Sequence, residues 1–221
     1  MRHFLSNDYI EVHIFRLEHK MRTFSRQEII GNLTVAAIFL LFVYANFTAL
    51  TVEFRFSVSL LLIFNSIVII TVLLRRPAER LSLHPFDVAI TVLGTYSSLF
   101  MVGITSQDEM LPLQIIGLLG LVCSLTGLLT LRGSFGLLPA DRGIVNIGIY
   151  RIVRHPIYAG YFVSNICFIL QNFSVRNLIC FAIFAICETL RLLREEKILC
   201  QNPDYLSYTQ STRWRIIPFI W

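Results

Sequence analysis

Apolar residues in this chain fall into long blocks, separated by short charged or turn-forming segments. Four blocks, residues 29–50, 56–74, 85–103 and 111–131, are close to the roughly 20 residues that a helix needs to cross a hydrocarbon core about 30 Å thick. Two shorter blocks, 157–170 and 178–193, flank the more polar run Gln171-Asn172-Phe173-Ser174-Val175-Arg176-Asn177. Together these two predict a tight helical hairpin. The pattern as a whole predicts an all-α, polytopic integral membrane protein with about six transmembrane helices, or five if the last hairpin is one bent span.

Composition supports the membrane class. Of 221 residues, 55% are hydrophobic and 15% charged, and the mean hydropathy is +0.67, too apolar for an ordinary soluble domain. A net charge of +5 would point to nucleic acid in a soluble protein, but here the basic residues have another use, which is orientation. With six spans and a cytoplasmic N-terminus, one side holds the arm (Arg2, Arg16, Lys20, Arg22, Arg26) and the first inner loop (Arg75, Arg76, Arg80). It also holds the second inner loop (Arg132, Arg142, Arg151, Arg154) and the tail (Arg191, Arg194, Lys197, Arg213, Arg215). Only Arg55 and Arg176 of the 19 basic residues fall opposite, beside Glu53, Asp108 and Glu109. Such a split follows the positive-inside rule and places both termini in the cytoplasm. The membrane is then the plasma membrane of a bacterium or the endoplasmic reticulum of a eukaryote.

Three regions follow from this reading. Residues 1–28 form a cytoplasmic arm, with apolar positions scattered among basic groups. It is either an amphipathic helix on the membrane surface or a disordered tail, and it has no secretory signal pattern. Residues 29–131 form a four-helix transmembrane region, and residues 132–221 carry the candidate chemistry. The five cysteines (Cys123, Cys167, Cys180, Cys187, Cys200) show no ligand spacing. No cluster has the spacing of a zinc or two-metal site.

Residues 132–155 are too polar and too rich in glycine and proline to span, and too long for a minimal turn. Interleaved apolar residues such as Phe135, Ile144 and Val145 indicate a segment lying on the bilayer surface and framing a pocket. It ends Gly148-Ile149-Tyr150-Arg151-Ile152-Val153-Arg154-His155-Pro156-Ile157-Tyr158-Ala159-Gly160, with Pro156 in the first turn of the next helix. Titratable groups at a membrane boundary are costly and mark a site. Tyr161 reads instead as a member of an interfacial aromatic belt. In the last block, Glu188, Arg191 and Glu195 form one helical stripe, while Arg194 and Glu196 face elsewhere. The chain then turns back through Asn202-Pro203-Asp204 into a tail carrying Tyr205, Tyr208, Trp214, Phe219 and Trp221, a candidate lid over Arg191 and Glu195. A cup of carboxylate, imidazole, phenol and guanidinium suits a charged cofactor beside a greasy substrate.

At these residues the chain resembles the isoprenylcysteine carboxyl methyltransferase family, within the wider group that includes phospholipid methyltransferases. The resemblance covers residues 131–221. Its carriers are Ser134-Phe135-Gly136 with Pro139-Ala140, then Gly148-Ile149-Tyr150, Arg154-His155-Pro156-Ile157-Tyr158-Ala159-Gly160, Glu195-Glu196, and Tyr205 and Tyr208 before Ile217-Pro218-Phe219. It implies S-adenosylmethionine bound at the cytosolic face by Arg142, Gly143, Ile144, Val145, Tyr150, His155, Pro156, Ile157, Tyr158 and Glu195. It further implies that Arg191 serves the methyl acceptor, so that Arg191 and Glu195 are the expected catalytic residues. The chain departs from the family in its tail, where Ser211-Thr212-Arg213-Trp214-Arg215 replaces an Arg-Val-Pro run.

The resemblance points to methyl transfer to a lipidic or prenylated acceptor, with O-methylation of a carboxylate favoured. One alternative is N-methylation of a phospholipid amine. Another is a nicotinamide-dependent, sterol-type membrane reductase, which shares the Arg-His-Pro segment and the Trp214-Arg215-Ile216-Ile217-Pro218 tail. A transporter would place its polar groups near the midplane and in paired repeats, neither of which the sequence shows.

Overall fold

The computed structural model describes residues 23–52, 56–102 and 110–221. The arm up to Arg22 lies outside the described residues, as do Glu53, Arg55, Asp108 and Glu109. The described chain is mostly helical. The first helix, α1 (Arg26–Val52), opens with a capping box. Ser25 Oγ accepts from Glu28 N at 3.2 Å, while Ser25 N donates to Glu28 Oε2 at 3.3 Å, so two otherwise orphaned donors are satisfied reciprocally. α1 packs along α2 (Phe56–Leu74).

α4 (Leu111–Leu131) and α5 (Pro156–Gln171) make the closest helix pair, after α3 (Pro85–Ser97). Small residues are the cause. A Cβ on Gly120 would stand 2.6 Å from Ser164 Oγ and 2.8 Å from the Gly160 carbonyl oxygen, so only glycine permits the approach. Hydroxyls then close the seam, as Ser164 Oγ donates to Gly117 O at 2.9 Å and Ser124 Oγ to Ile157 O at 3.0 Å. Small residues with interhelical hydroxyl bonds are the usual means of joining helices in lipid. The two helix pairs share a core of Phe39, Phe64, Val68, Val72, Leu128, Phe135 and Ile157, and Tyr161 packs edge-on against Phe64 at 5.6 Å.

Helices α1 and α4, the latter with the 3₁₀ turn that follows it, are long and apolar enough to cross a membrane, and the apolar stretch 58–74 of α2 is shorter. Their outward faces carry Leu40, Leu41, Tyr44 and Phe47 on α1 and Ile115, Leu119 and Leu129 on α4, all exposed. Such a surface is suited to lipid rather than water.

One expected span is shorter than predicted. Instead of a helix over 85–103, α3 stops at Ser97 and tightens into a 3₁₀ turn, Ser98–Phe100. Thirteen residues rise about 20 Å, short of a hydrocarbon core of about 30 Å. The buried Asn177 explains the stop, because its side chain accepts from Val102 N and donates to Val102 O, each at 2.9 Å. These bonds hold the chain extended past the turn. The last two apolar blocks form two separate helices, α5 and α6 (Val175–Leu199), rather than one bent helix.

Beyond α6, Asn202 caps α7 (Pro203–Ser211) by accepting from Asp204 N at 3.0 Å. The sequence did not reveal the short antiparallel pairing of β1 (Arg80–Leu81) with β2 (Ala140–Asp141), register Arg80 to Asp141. Flanking bonds from Glu79 N to Asp141 O (2.8 Å), Ser82 N to Pro139 O (3.1 Å) and Arg76 N to Gly133 O (2.8 Å) extend it. These bonds zip the α2–α3 loop to the α4–α5 loop.

Candidate active site

The α4–α5 loop builds one wall of the site. Gly143 has φ +94°, a conformation that a side chain would strain. It follows a turn in which Gly143 N donates to Asp141 Oδ1 at 3.1 Å. The other Asp141 oxygen accepts from Asn202 Nδ2 at 2.9 Å, fastening the start of α7 to this loop. Further on, Tyr150 is buried in a 3₁₀ turn, and the Tyr208 hydroxyl donates to its carbonyl at 2.6 Å. Burial pushes the Tyr150 phenol well above its ordinary pKa, and the nearby Glu195 carboxylate adds to the shift. Tyr150 therefore stays protonated as a donor. His155 ends the loop, and Pro156 opens α5 where its missing N–H costs nothing.

α6 supplies the other wall. Glu188 and Arg191 pair at 2.9 Å one turn apart. Arg191 Nε then donates to the Tyr158 hydroxyl at 2.9 Å, and that hydroxyl donates to Glu195 Oε2 at 2.8 Å. The guanidinium also lies over the Tyr158 ring, 4.9 Å from its centroid. The stripe expected along α6 thus becomes one bonded chain, Glu188–Arg191–Tyr158–Glu195, with a residue of α5 as its middle link. Among the described residues, Glu195 Oε1 takes no protein hydrogen bond.

Glu196 points the other way, into a closed knot. Its Oε1 meets His155 Nε2 at 2.8 Å and accepts from the Tyr205 hydroxyl at 2.6 Å. Its Oε2 meets Arg154 Nη1 at 3.0 Å and Arg215 Nε at 3.2 Å. Burial pushes this carboxyl up, but the His155 bond and charge, the Tyr205 hydroxyl and Arg154 outweigh it and hold it at about 2. An ionised carboxylate only accepts, so His155 carries its proton on Nε2 in this bond. The knot also anchors the tail, since Arg154 N and His155 N donate to the carbonyls of Trp214 (2.9 Å) and Arg215 (2.8 Å).

Between these walls lies one cavity with about 660 Å³ of empty space, part of it open to solvent. Of the residues expected in the site, Arg142, Gly143, Ile144, Val145 and Tyr150 line it from the loop. His155, Ile157, Tyr158, Arg191 and Glu195 line it from α5 and α6 and the approach to them. Pro156 does not; it is buried at the helix start and sets the backbone of its neighbours. Ser134, Phe135, Gly136, Arg154, Leu199, Tyr205 and Tyr208 line it as well. Most of these lay in segments already singled out by sequence. Leu199 carried no signal, because one more leucine near the end of an apolar helix is unremarked.

Sequence reasoning missed the contribution of the N-terminal helices. Arg142 Nη1 donates to Glu28 Oε1 at 3.2 Å and also to the carbonyl of Arg76. Glu28 Oε1 accepts in addition from Ala78 N at 3.0 Å. On the far side, Arg194 grips the fully buried Asp87 of α3 through Nε at 2.7 Å and Nη2 at 3.1 Å. Partners this remote in sequence leave no periodic trace.

Residues 115–201 match the isoprenylcysteine carboxyl methyltransferase (ICMT) family. Over that segment the chain is similar to this family. The match runs from the first turns of α4 past the end of α6. It therefore takes in the loop, the start of α5 and both carboxylates. It begins earlier than the resemblance read from the motifs and ends before Tyr205, so α7 and the tail lie outside it. The ICMT match points to methyl transfer, and the two long apolar helices to a membrane. It lends no support to a reductase or to a phospholipid amine acceptor. No curated protein matches the chain.

Proposed function

We propose that the cavity binds S-adenosylmethionine and that the protein methylates a lipidic or prenylated acceptor, a prenylcysteine carboxylate being favoured. The reaction would take place at the cytosolic membrane face. The observation that carries this reading is the Tyr158 hydroxyl, which joins Arg191 to Glu195 on the wall of a cavity that family-matched residues line.

The residues present fit such a donor. Glu195 offers an oxygen with no protein partner to a cationic or hydroxyl-rich group. Ile144, Val145 and Ile157 offer apolar contact to a nucleobase, and Gly143 keeps that part of the loop free of a side chain. When bound, the donor supplies an electrophilic methyl group on a positively charged sulfur. Glu195 would accept from the donor's ammonium or ribose hydroxyls, groups that S-adenosylhomocysteine retains, and Tyr158 fixes where the carboxylate sits. Arg191 is held by Glu188 and Tyr158 through Nη1 and Nε, which leaves Nη2 for an acceptor carboxylate. Catalysis on this reading is positioning in a site from which water is largely excluded. No enzyme-bound covalent intermediate is required.

The same reading keeps six spans with both termini cytoplasmic, α3 counted together with the 3₁₀ turn and extended residues that follow it, an arm over 1–28, a transmembrane region over 29–131 and a catalytic region over 132–221. All cavity-forming charges then gather at the cytosolic end. The test is calorimetry of detergent-purified protein with S-adenosylhomocysteine, followed by transfer of labelled methyl to N-acetyl-S-farnesylcysteine. Binding in the wild type that is lost in Glu195→Ala is expected. Absence of binding in folded wild-type protein overturns the reading.

A further inference from the structure

Gly136, on the loop wall of the cavity, lies where two buried guanidiniums converge. A Cβ at this position would stand 3.3 Å from Arg142 Nε, 3.4 Å from the Leu138 carbonyl oxygen and 3.6 Å from Arg75 Nη1. Gly136 and Arg142 both line the cavity. Arg142 is 2% exposed and Arg75 9%. Even so, Arg142 Nε, Arg142 Nη2 and Arg75 Nε are buried with no hydrogen-bond partner among the described residues. Buried N–H groups are nearly always paired in folded proteins, and orphaned charged donors are especially costly.

The bonds these arginines do make leave them short of negative charge. Arg142 reaches Glu28 and the Arg76 carbonyl through Nη1 alone. Arg75 reaches only the neutral Asn32 side chain, through Nη2. Glu28 is thus one carboxylate serving two guanidiniums. Burial and the charge of Arg142 together lower the pKa of Arg75 to about 10 against the opposing pull of Glu28. Two like charges pressed together, with unused donors beside a notch that lacks a side chain, describe a receptor for an anion.

We propose that the Gly136 notch, walled by Arg75 and Arg142, is a carboxylate-binding subsite of the cavity. The planar guanidinium fork matches a carboxylate, and Gly136 puts no side chain between these donors and the cavity. The inference rests on the methyl-donor reading above and extends it. Two ligands of that reaction carry a carboxylate; the acceptor's is matched to Arg191, so the amino-acid end of the donor is the one this notch suits, and a response of the acceptor pair instead would reassign it. The cavity then has an anionic place at Glu195 and a cationic one at Gly136, suited to a zwitterion. Arg75 lies outside the family-matched segment, so half of this subsite comes from the N-terminal helices.

The test measures discrimination rather than affinity. Calorimetry on detergent-purified wild type, Arg75→Gln and Gly136→Ala would compare S-adenosylhomocysteine with its decarboxylated analogue, 5′-S-(3-aminopropyl)-5′-thioadenosine. A second arm would compare N-acetyl-S-farnesylcysteine with its carboxamide. The wild type is expected to favour one carboxylate over its analogue by about tenfold or more, and both variants to bring that ratio within about threefold of unity. Whichever pair responds identifies donor or acceptor as the source. A general folding defect would weaken both members of a pair alike and leave the ratio standing. Ratios unchanged between wild type and both variants overturn the subsite while leaving the donor site intact. Folded wild type that binds no S-adenosylhomocysteine overturns the donor reading and the subsite with it.

Discussion

Glu195 and Glu196 are chain neighbours, turned about 100° apart by the helix that carries them. Glu195 accepts one hydrogen bond, from Tyr158, and borders the cavity. Glu196 is wrapped by His155, Tyr205, Arg154 and Arg215 and has no lone pair to spare. The same side chain at nearly the same depth is thus a candidate ligand group in one case and a fastening in the other. What separates them is how fully each is satisfied. A saturated buried carboxylate specifies structure, whereas one left with open acceptor sites beside a cavity is available to a ligand. Arg154 and Arg215 both pair with Glu196, and Arg142 pairs with Glu28, whereas the Arg75 side chain bonds to the neutral Asn32.

Removing the saturated member should produce the largest effect. Glu196→Ala strands two arginines and His155, and breaking a buried ion pair from one side typically costs about 3–5 kcal/mol. We expect a large fall in the thermal unfolding temperature in detergent, with increased proteolysis of the tail after Ser211. A variant as stable as wild type would erase the contrast between the two glutamates. Glu195→Ala should do the opposite, lowering S-adenosylhomocysteine affinity by about ten- to a hundredfold while its unfolding temperature stays near that of the wild type.

Tyr158→Phe sharpens the comparison further. It removes the hydroxyl that holds Glu195 against Arg191 but leaves the carboxylate in place. We expect kcat/KM for methyl transfer to fall about tenfold, or about 1.4 kcal/mol, with donor affinity changing less than threefold. An equal loss of donor affinity would make Tyr158 a binding group rather than a positioning one. The smallest effect at working pH is the titration of Glu196. Its folded carboxyl sits at about 2 against an ordinary value of 4.5. Its stabilisation is therefore complete above pH about 4.5 and is lost progressively as pH falls towards 2. Acid unfolding of wild type and Glu196→Gln should converge across that window. Parallel curves would show that the knot does not set acid stability.

Much of residues 132–221 was legible because its signals are local. Pro156 marked the start of α5, and the spacing of Glu188, Arg191 and Glu195 their common helix face, whereas Asn202-Pro203 read only as a turn and proves to cap α7. The expected cofactor residues, Pro156 excepted, were close in sequence to the loop and helix ends that wall the cavity. The shortened α3 was not legible, since residues 98–102 are as apolar as the helix before them and the stop depends on Asn177. Nor was the pairing of β1 with β2, because a two-residue strand has no pattern to read.

Hydrophobic block length determined the mostly helical, apolar architecture, and the order of motifs in residues 131–221 pointed to the family that residues 115–201 match. Those properties are written in neighbours along the chain, through periodicity, helix-start residues and the cost of charge near hydrocarbon. The tertiary structure alone decided that Tyr158 would bridge Arg191 to Glu195 and that Glu196 would be closed off by four partners. It also brought Glu28 and Arg75 from the first helices to Arg142. Each of these depends on which side chains meet across different elements, and the energy of a buried charge is set by that company rather than by its place in the sequence.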